Sequence, residues 1–202
     1  ILTGTYPQFH KVNDFEVSLS KDLPYAPELF RQHGFSTAAF VGSIILDPSA
    51  RFAPGFDRGF DTYDAGFHRR LPREDRYSAI ERRADVVVSR AIGWINKHTN
   101  RPFFLWVHLY DAHDPYDPPE PFKSRFANAL YDGEIAFVDS ALSQLLTKLN
   151  EMQLFSKTAI AVMSDHGEGL GDHGEMSHGV FLYDETIHVP LLLKLPKARY
   201  AG

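Results

Sequence analysis

Residues 161–179 read AVMSDHGEGLGDHGEMSHG. An apolar burst stops at Ser164-Asp165-His166-Gly167, and three histidines, two aspartates and two glutamates then lie among five glycines. Carboxylate oxygens and imidazole nitrogens are the donors that hold divalent cations. Imidazole is also the side chain best suited to proton transfer near neutral pH. Glycine lets the backbone bend tightly and approach a ligand closely. A second polar run, WVHLYDAHDPYDPP, sets His113 after another apolar burst. Two readings stand for Asp165 at this level: it binds a cation together with His166, or it caps the turn that follows. His108 lies inside the apolar burst and reads as a satisfied core histidine. His173 reads as a support or substrate contact, and His10, His33, His68, His98 and His188 suggest no role. Glu168, Asp172 and Glu175 read as solvated loop charges, and RRLPREDR (residues 69–76) as a solvated mixed-charge run.

These residues need elements to position them. STAAFVG (residues 36–42) is a short apolar run behind a helical APELFRQHG, which Gly34 terminates. Residues 43–76 are rich in proline, glycine and aromatics and suggest an ordered loop. Residues 78–98 carry helical spacing through Ile80, Val87, Ala91 and Trp94. PFFLWVHLY (residues 102–110) is apolar on both faces and suggests a central, buried strand. Residues 131–152 predict an amphipathic helix with Ile135, Val138, Leu142, Leu145, Leu146 and Leu149 on one stripe. TAIAVMS and VPLLLKLP suggest two more buried strands. Strand, crossover helix and strand together predict an α/β fold: a mostly parallel central sheet flanked by helices on both faces. In such sheets ligands bind beyond the carboxyl ends of the strands. Both histidine-rich loops begin there, so they are expected to empty onto one edge.

Length and composition narrow the classes. The 202 residues suffice for one substantial domain with a real core. A net charge of −5 gives no global reason to expect nucleic acid. With no cysteine, disulfides and thiolate metal sites are excluded. No apolar run approaches the ~20 residues of a membrane span.

SDHGEGLGDHGEMSHGVFLYDETIHVPLLL resembles the C-terminal metal segment of the sulfatase family, within the alkaline-phosphatase-like superfamily. ILTGTYPQFHKV resembles the stretch just after that family's nucleophile motif, Cys/Ser-x-Pro-Ser-Arg. LPYAPELFRQHGFSTAAF is similar to its helix–strand unit, PFFLWVHLYDAHDPYDPP to its strand and loop, and YDGEIAFVDSALSQLLTKL to the helix before its metal strand. The blocks fall in the family's order and cover nearly the whole chain. The resemblance implies a single sulfatase-type α/β domain over residues 1–202, with the nucleophile and an Asp-Asp metal pair expected upstream of Ile1. It implies a metal-dependent hydrolase of sulfate esters acting on a small molecule or glycan. Asp165 and His166 match the metal pair and imply one divalent ion, calcium, manganese or zinc. His113 matches the histidine near the leaving oxygen, and His178 the position of a basic residue that contacts the anionic ester. An upstream serine, or a cysteine converted to formylglycine, would attack in line. Within the superfamily the alternatives are a phosphonate or phosphate mono- or diesterase, or a phosphoethanolamine transferase. Outside it, the alternative is a non-catalytic or truncated binding domain. A periplasmic or extracytoplasmic location is the family's expectation. One departure bears on the substrate: the family's Gly-Lys-Trp-His segment would fall near FVGSIIL, where neither lysine nor histidine occurs.

Overall fold

The computed structural model describes residues 1–198. The chain divides into two compact units, Ile1–Leu145 and Leu146–Gly202. In the first unit, in chain order, are α1 (Pro7–His10), α2 (Ala26–Gln32), β1 (Ser36–Val41), β2 (Thr62–Asp64), α3 (Arg76–Ala79), α4 (Ala84–Ile95), β3 (Phe103–His108) and α5 (Phe122–Arg125). Helix α6 (Leu130–Glu151) runs on into the second unit, which holds β4 (Ile160–Met163), α7 (Asp184–Ile187) and β5 (Leu191–Lys194).

The first sheet is parallel, in the order β2-β1-β3. All six residues of β1 are buried. Helix α2 starts on a proline in its first turn and stops at Gly34, which takes the left-handed φ of 83°. Phe30 of α2 stacks on Phe104 at 4.5 Å, whereas Trp94 of α4 meets Phe103 edge-on at 6.2 Å. Neighbouring residues of a strand point to opposite faces. The two helices therefore cover the two faces of one parallel sheet, as the strand–helix alternation predicts.

Three local expectations are corrected. First, PFFLWVHLY does not supply the central strand: β1 is central and β3 is half-buried along its length. A continuous apolar run reports coverage on both faces and says nothing about sideways position. Second, the loop 43–76 contains β2, whose three residues are too few to show a period. Buried Asp47 ties that loop together, accepting the N–H groups of Ser49 (2.7 Å), Gly66 (2.9 Å) and Phe67 (2.8 Å). Third, the helix expected over 78–98 is two helices, α3 and α4. Asp75 caps α3 by accepting from Tyr77 N at 2.7 Å. Between the helices Arg82 N donates to Gly42 O at 2.8 Å, and its guanidinium reaches Asp64 Oδ1 at 2.6 Å. These tertiary bonds override the helix-favouring glutamate and arginines of residues 80–83.

The buried stripe of α6 runs through Glu134, Phe137, Ala141, Leu145 and Leu149, while Ile135 and Leu146 face outward. That stripe is rotated from the expected one and includes a carboxylate. In the second unit β4 pairs antiparallel with β5, Val162 opposite Leu192 and Met163 opposite Leu191. Neither is the buried strand expected: Leu191, Leu192 and Leu193 are 67%, 62% and 62% exposed. Among the described residues, each of these apolar strands pairs only with the other.

Candidate active site

In the first unit the loop after β3 carries His113. His108 remains in the sheet, where its Nδ1 accepts the N–H of Gly42 at 3.4 Å. His113 stacks on Tyr110, with ring centroids 4.4 Å apart at 18°. Its Nδ1–H donates to Asp114 O at 2.8 Å, which makes Nε2, across the ring, the atom suited to proton transfer. Burial raises the pKa of Glu81, while the nearby charges of Arg76 and then His113 oppose that rise. Arg76, expected to be solvated, turns inward to pair with Glu81 at 3.3 Å.

Two acids lie under this loop. Glu134 of α6 is 1% exposed and accepts Ala112 N at 2.7 Å and Asp117 N at 2.8 Å. Burial raises its pKa, opposed by those two N–H groups and by Arg76 and Arg83. The oxygens of Asp111 are buried without a hydrogen bond. Burial first, and then the charge of Glu134, push Asp111 up to about 7. The N–H groups of Asp111 and Ala84, near but out of bonding geometry, and the Arg83 guanidinium oppose this. At the loop's far end Lys123 pairs with Asp117 at 2.7 Å and holds that carboxyl below its ordinary range.

In the second unit β4 ends at Met163 and the glycine-rich loop follows. Asp165 and His166 turn toward each other, with Asp165 Oδ1 3.8 Å from His166 Nε2. The Nδ1–H of His166 donates to Gly167 O at 2.8 Å, which fixes the tautomer that leaves an acceptor lone pair on Nε2. Two ligands of one cation lie roughly 3–4 Å apart for bonds of ~2.0–2.5 Å, so this donor set fits a divalent ion. Among the described residues no three such side chains are arranged to hold one ion, so the pair supplies part of a shell.

The ring of His178 stacks on that of His166, centroids 3.9 Å apart. Its Nδ1 lies 3.2 Å from Glu168 Oε1 and 3.2 Å from Ser177 Oγ. The structure thus brings Asp165, His166 and His178 together in one loop. Glu168 and Glu175 correct the sequence reading, since both are buried. Glu175 accepts the N–H groups of Val180 (2.8 Å) and Phe181 (3.1 Å), closing the loop on itself. His173 pairs with Glu185 at 2.6 Å and stacks on Tyr183, a supporting contact. The glycine at 167 is obligatory: a Cβ there would lie 2.0 Å from Glu185 O, where Gly167 N donates to Thr186 O at 2.8 Å.

Sequence reasoning missed Glu134 and Glu168 as supports for the two histidines. A signal existed for Glu134, because an acid at three residues from Phe137 and seven from Ala141 lies on an apolar helical face. For Glu168, one acid among several in a glycine loop, no signal existed.

Human iduronate 2-sulfatase is 36% identical over 83 residues, covering 41% of this chain and 15% of that enzyme. The phosphonate monoester hydrolase of Agrobacterium radiobacter superposes with a TM-score of 0.73 at 18% identity, over 96% of this chain and 57% of that one. A structure described as holding its substrate D-glucosamine-2-N,6-O-disulfate superposes with a TM-score of 0.72 at 18% identity, over 97% and 60%. The last two likenesses show the fold alone. The chain spans well under two thirds of the length of each of these proteins. The sulfatase family profile matches residues 1–199, and the chain belongs to the sulfatase family.

Proposed function

We propose that this chain carries the metal pair and the acid of a hydrolase that cleaves sulfate esters of small molecules or glycans. The observation that carries the reading is the convergence of Asp165 Oδ1 and His166 Nε2, with the His166 tautomer set by Gly167 O. The names of two similar proteins support the substrate class, one an iduronate 2-sulfatase and one described with a disulfated glucosamine as substrate. A divalent cation on Asp165 and His166 would supply Lewis-acid polarisation of the ester oxygen. His113, protonated at Nε2, donates that proton to the leaving oxygen, while Asp114 O keeps the ring oriented through Nδ1. His178 is held by buried Glu168 and, as imidazolium, stabilises negative charge on the non-leaving oxygens. An extracytoplasmic location goes with this reading.

A second reading, a phosphoryl or phosphonate ester as substrate, is favoured by one observation. Gly42–Leu46 holds no lysine or histidine where the family pattern places both. Steady-state turnover by the intact protein separates the readings, using 4-nitrophenyl sulfate, 4-nitrophenyl phosphate and 4-nitrophenyl phenylphosphonate. The sulfate is expected to lead by roughly 100-fold or more in kcat/KM, about 2.7 kcal/mol of transition-state preference. Preference for either phosphorus ester reverses the assignment. Elemental analysis after dialysis is expected to find a divalent metal in the wild type and not in Asp165→Ala or His166→Ala. Equal metal in all three removes the pair from the site.

A further inference from the structure

Glu134 is the most buried carboxylate near the candidate site, and both its oxygens are committed to one loop. Oε2 accepts the N–H of Ala112 and Oε1 that of Asp117, at 2.7 and 2.8 Å. The bracketed residues are His113, Asp114, Pro115 and Tyr116. Ala112 itself takes a positive φ of 73°, a conformation that a non-glycine residue holds only when its surroundings enforce it. The bond from Glu134 falls on the N–H of that residue. Because α6 is 22 residues long, the clamp is anchored in a rigid element and not in the loop. An acid in the apolar stripe of α6 carries a desolvation cost that a leucine would not. Packing alone therefore gives no reason for a glutamate at this position.

We propose that Glu134 is a positioning residue for the reaction: by fastening both ends of segment 112–117 to α6, it sets where the His113 ring meets the leaving oxygen. This rests on the acid role of His113 proposed above. General acid catalysis depends on placing the proton donor within hydrogen-bond reach of its acceptor, so a shift of about 1 Å suffices to forfeit most of it. Glu134→Gln keeps the shape and one carbonyl acceptor but turns an NH2 toward the other backbone N–H. Glu134→Asp keeps the charge and retracts it by one methylene.

The test compares the wild type, Glu134→Gln, His113→Ala and the double variant in the intact protein, at temperatures where circular dichroism shows all four folded. The readout is kcat/KM across sulfate esters of graded leaving-group pKa. Glu134→Gln is expected to lower kcat/KM roughly 10- to 100-fold on alkyl esters and under 3-fold on nitrophenyl esters. In the His113→Ala background it is expected to cost almost nothing further. Faster amide exchange at Ala112 and Asp117 should accompany it, with Glu134→Asp falling between. If His113→Ala behaves as an acid variant while Glu134→Gln leaves the leaving-group dependence unchanged, or lowers all esters alike in both backgrounds, the positioning role is overturned and Glu134 only stabilises. If His113→Ala shows no leaving-group dependence, the acid reading itself falls and takes this proposal with it.

Discussion

At the scale of single residues, side-chain chemistry was legible and burial was not. Asp165, His166, His178 and His113 stand out in the sequence as candidates by type and by position after apolar runs. Three of the four come together within one loop. Glu168 and Glu175 look in sequence like solvated loop acids, yet they are 8% and 6% exposed. Only the folded loop decides which acid turns inward. The roles assigned to two histidines separate cleanly in kinetics. A nitrophenolate leaves without a proton and an alkoxide does not. His113→Ala is therefore expected to depress kcat/KM on alkyl sulfates by about 10²- to 10⁴-fold and on nitrophenyl sulfate only slightly. His178→Ala should depress both classes by a similar factor, because it acts on oxygens that do not leave. Equal losses for His113→Ala on both classes would make it a loop-packing residue.

Asp111 supports a prediction about pH. In the folded chain its carboxyl titrates at about 7, because burial and Glu134 disfavour the anion. Below the ordinary carboxylate pKa both folded and unfolded chains keep the proton, and there is no penalty. From there up to about 7 the unfolded chain releases it and the folded chain retains it, so stability falls as pH rises across that window. Asp111→Asn removes the titration. Its unfolding free energy is expected to match that of the wild type near pH 4. By pH 8 it should exceed the wild type by on the order of 2–4 kcal/mol. Urea melts at the two pH values measure this, and a variant no more stable at pH 8 than at pH 4, relative to wild type, would show that Asp111 ionises freely.

At the scale of elements, long periodic segments were legible and short or tertiary-driven ones were not. Helices α2 and α6 and strands β1, β3, β4 and β5 all form where the pattern puts them. The pause between α3 and α4 was hidden because it depends on Arg82 finding Asp64 and Gly42, partners far away in sequence. The glycine-rich loop was legible as pliable, although its glycines serve different ends. Gly167 has a Cβ position 2.0 Å from Glu185 O, whereas Gly174 has nothing within 4 Å and only a left-handed φ of 81°. Gly174→Ala should thus cost about 1 kcal/mol of backbone strain and leave metal affinity intact. Gly167→Ala must push the loop off Glu185 and Thr186, with an expected loss of roughly 3 kcal/mol or more and of metal binding together. Thermal melts with and without added manganese distinguish them. Equal effects of the two substitutions would mean that close approach is not what Gly167 provides.

At the scale of the whole molecule, the exposed apolar strands dominate. The sequence reading of two buried strands placed the strands but not their exposure: apolar side chains run along both faces and stand open. What it could not supply was a cover. In β5, Leu191 and Leu193 share one face with Met163 of β4, and Leu192 shares the other with Val162. Exposed apolar strands of this kind pair with other chains and bind hydrophobic dyes. In a polypeptide of residues 1–202 both faces of this strand pair carry exposed apolar side chains. That polypeptide is expected to bind 8-anilinonaphthalene-1-sulfonate and to elute from a sizing column ahead of its 22.9 kDa mass. Scattered exposed leucines do not behave this way. Leu71, 64% exposed in a mixed-charge turn, is the matched control. Leu191→Lys with Leu193→Lys places two charges on one face of β5 and should cut the dye signal at least twofold and move the eluting peak toward the monomer. Leu71→Lys should change neither. If the paired substitution leaves both readouts unmoved, β4 and β5 are covered in solution, and the association has another source.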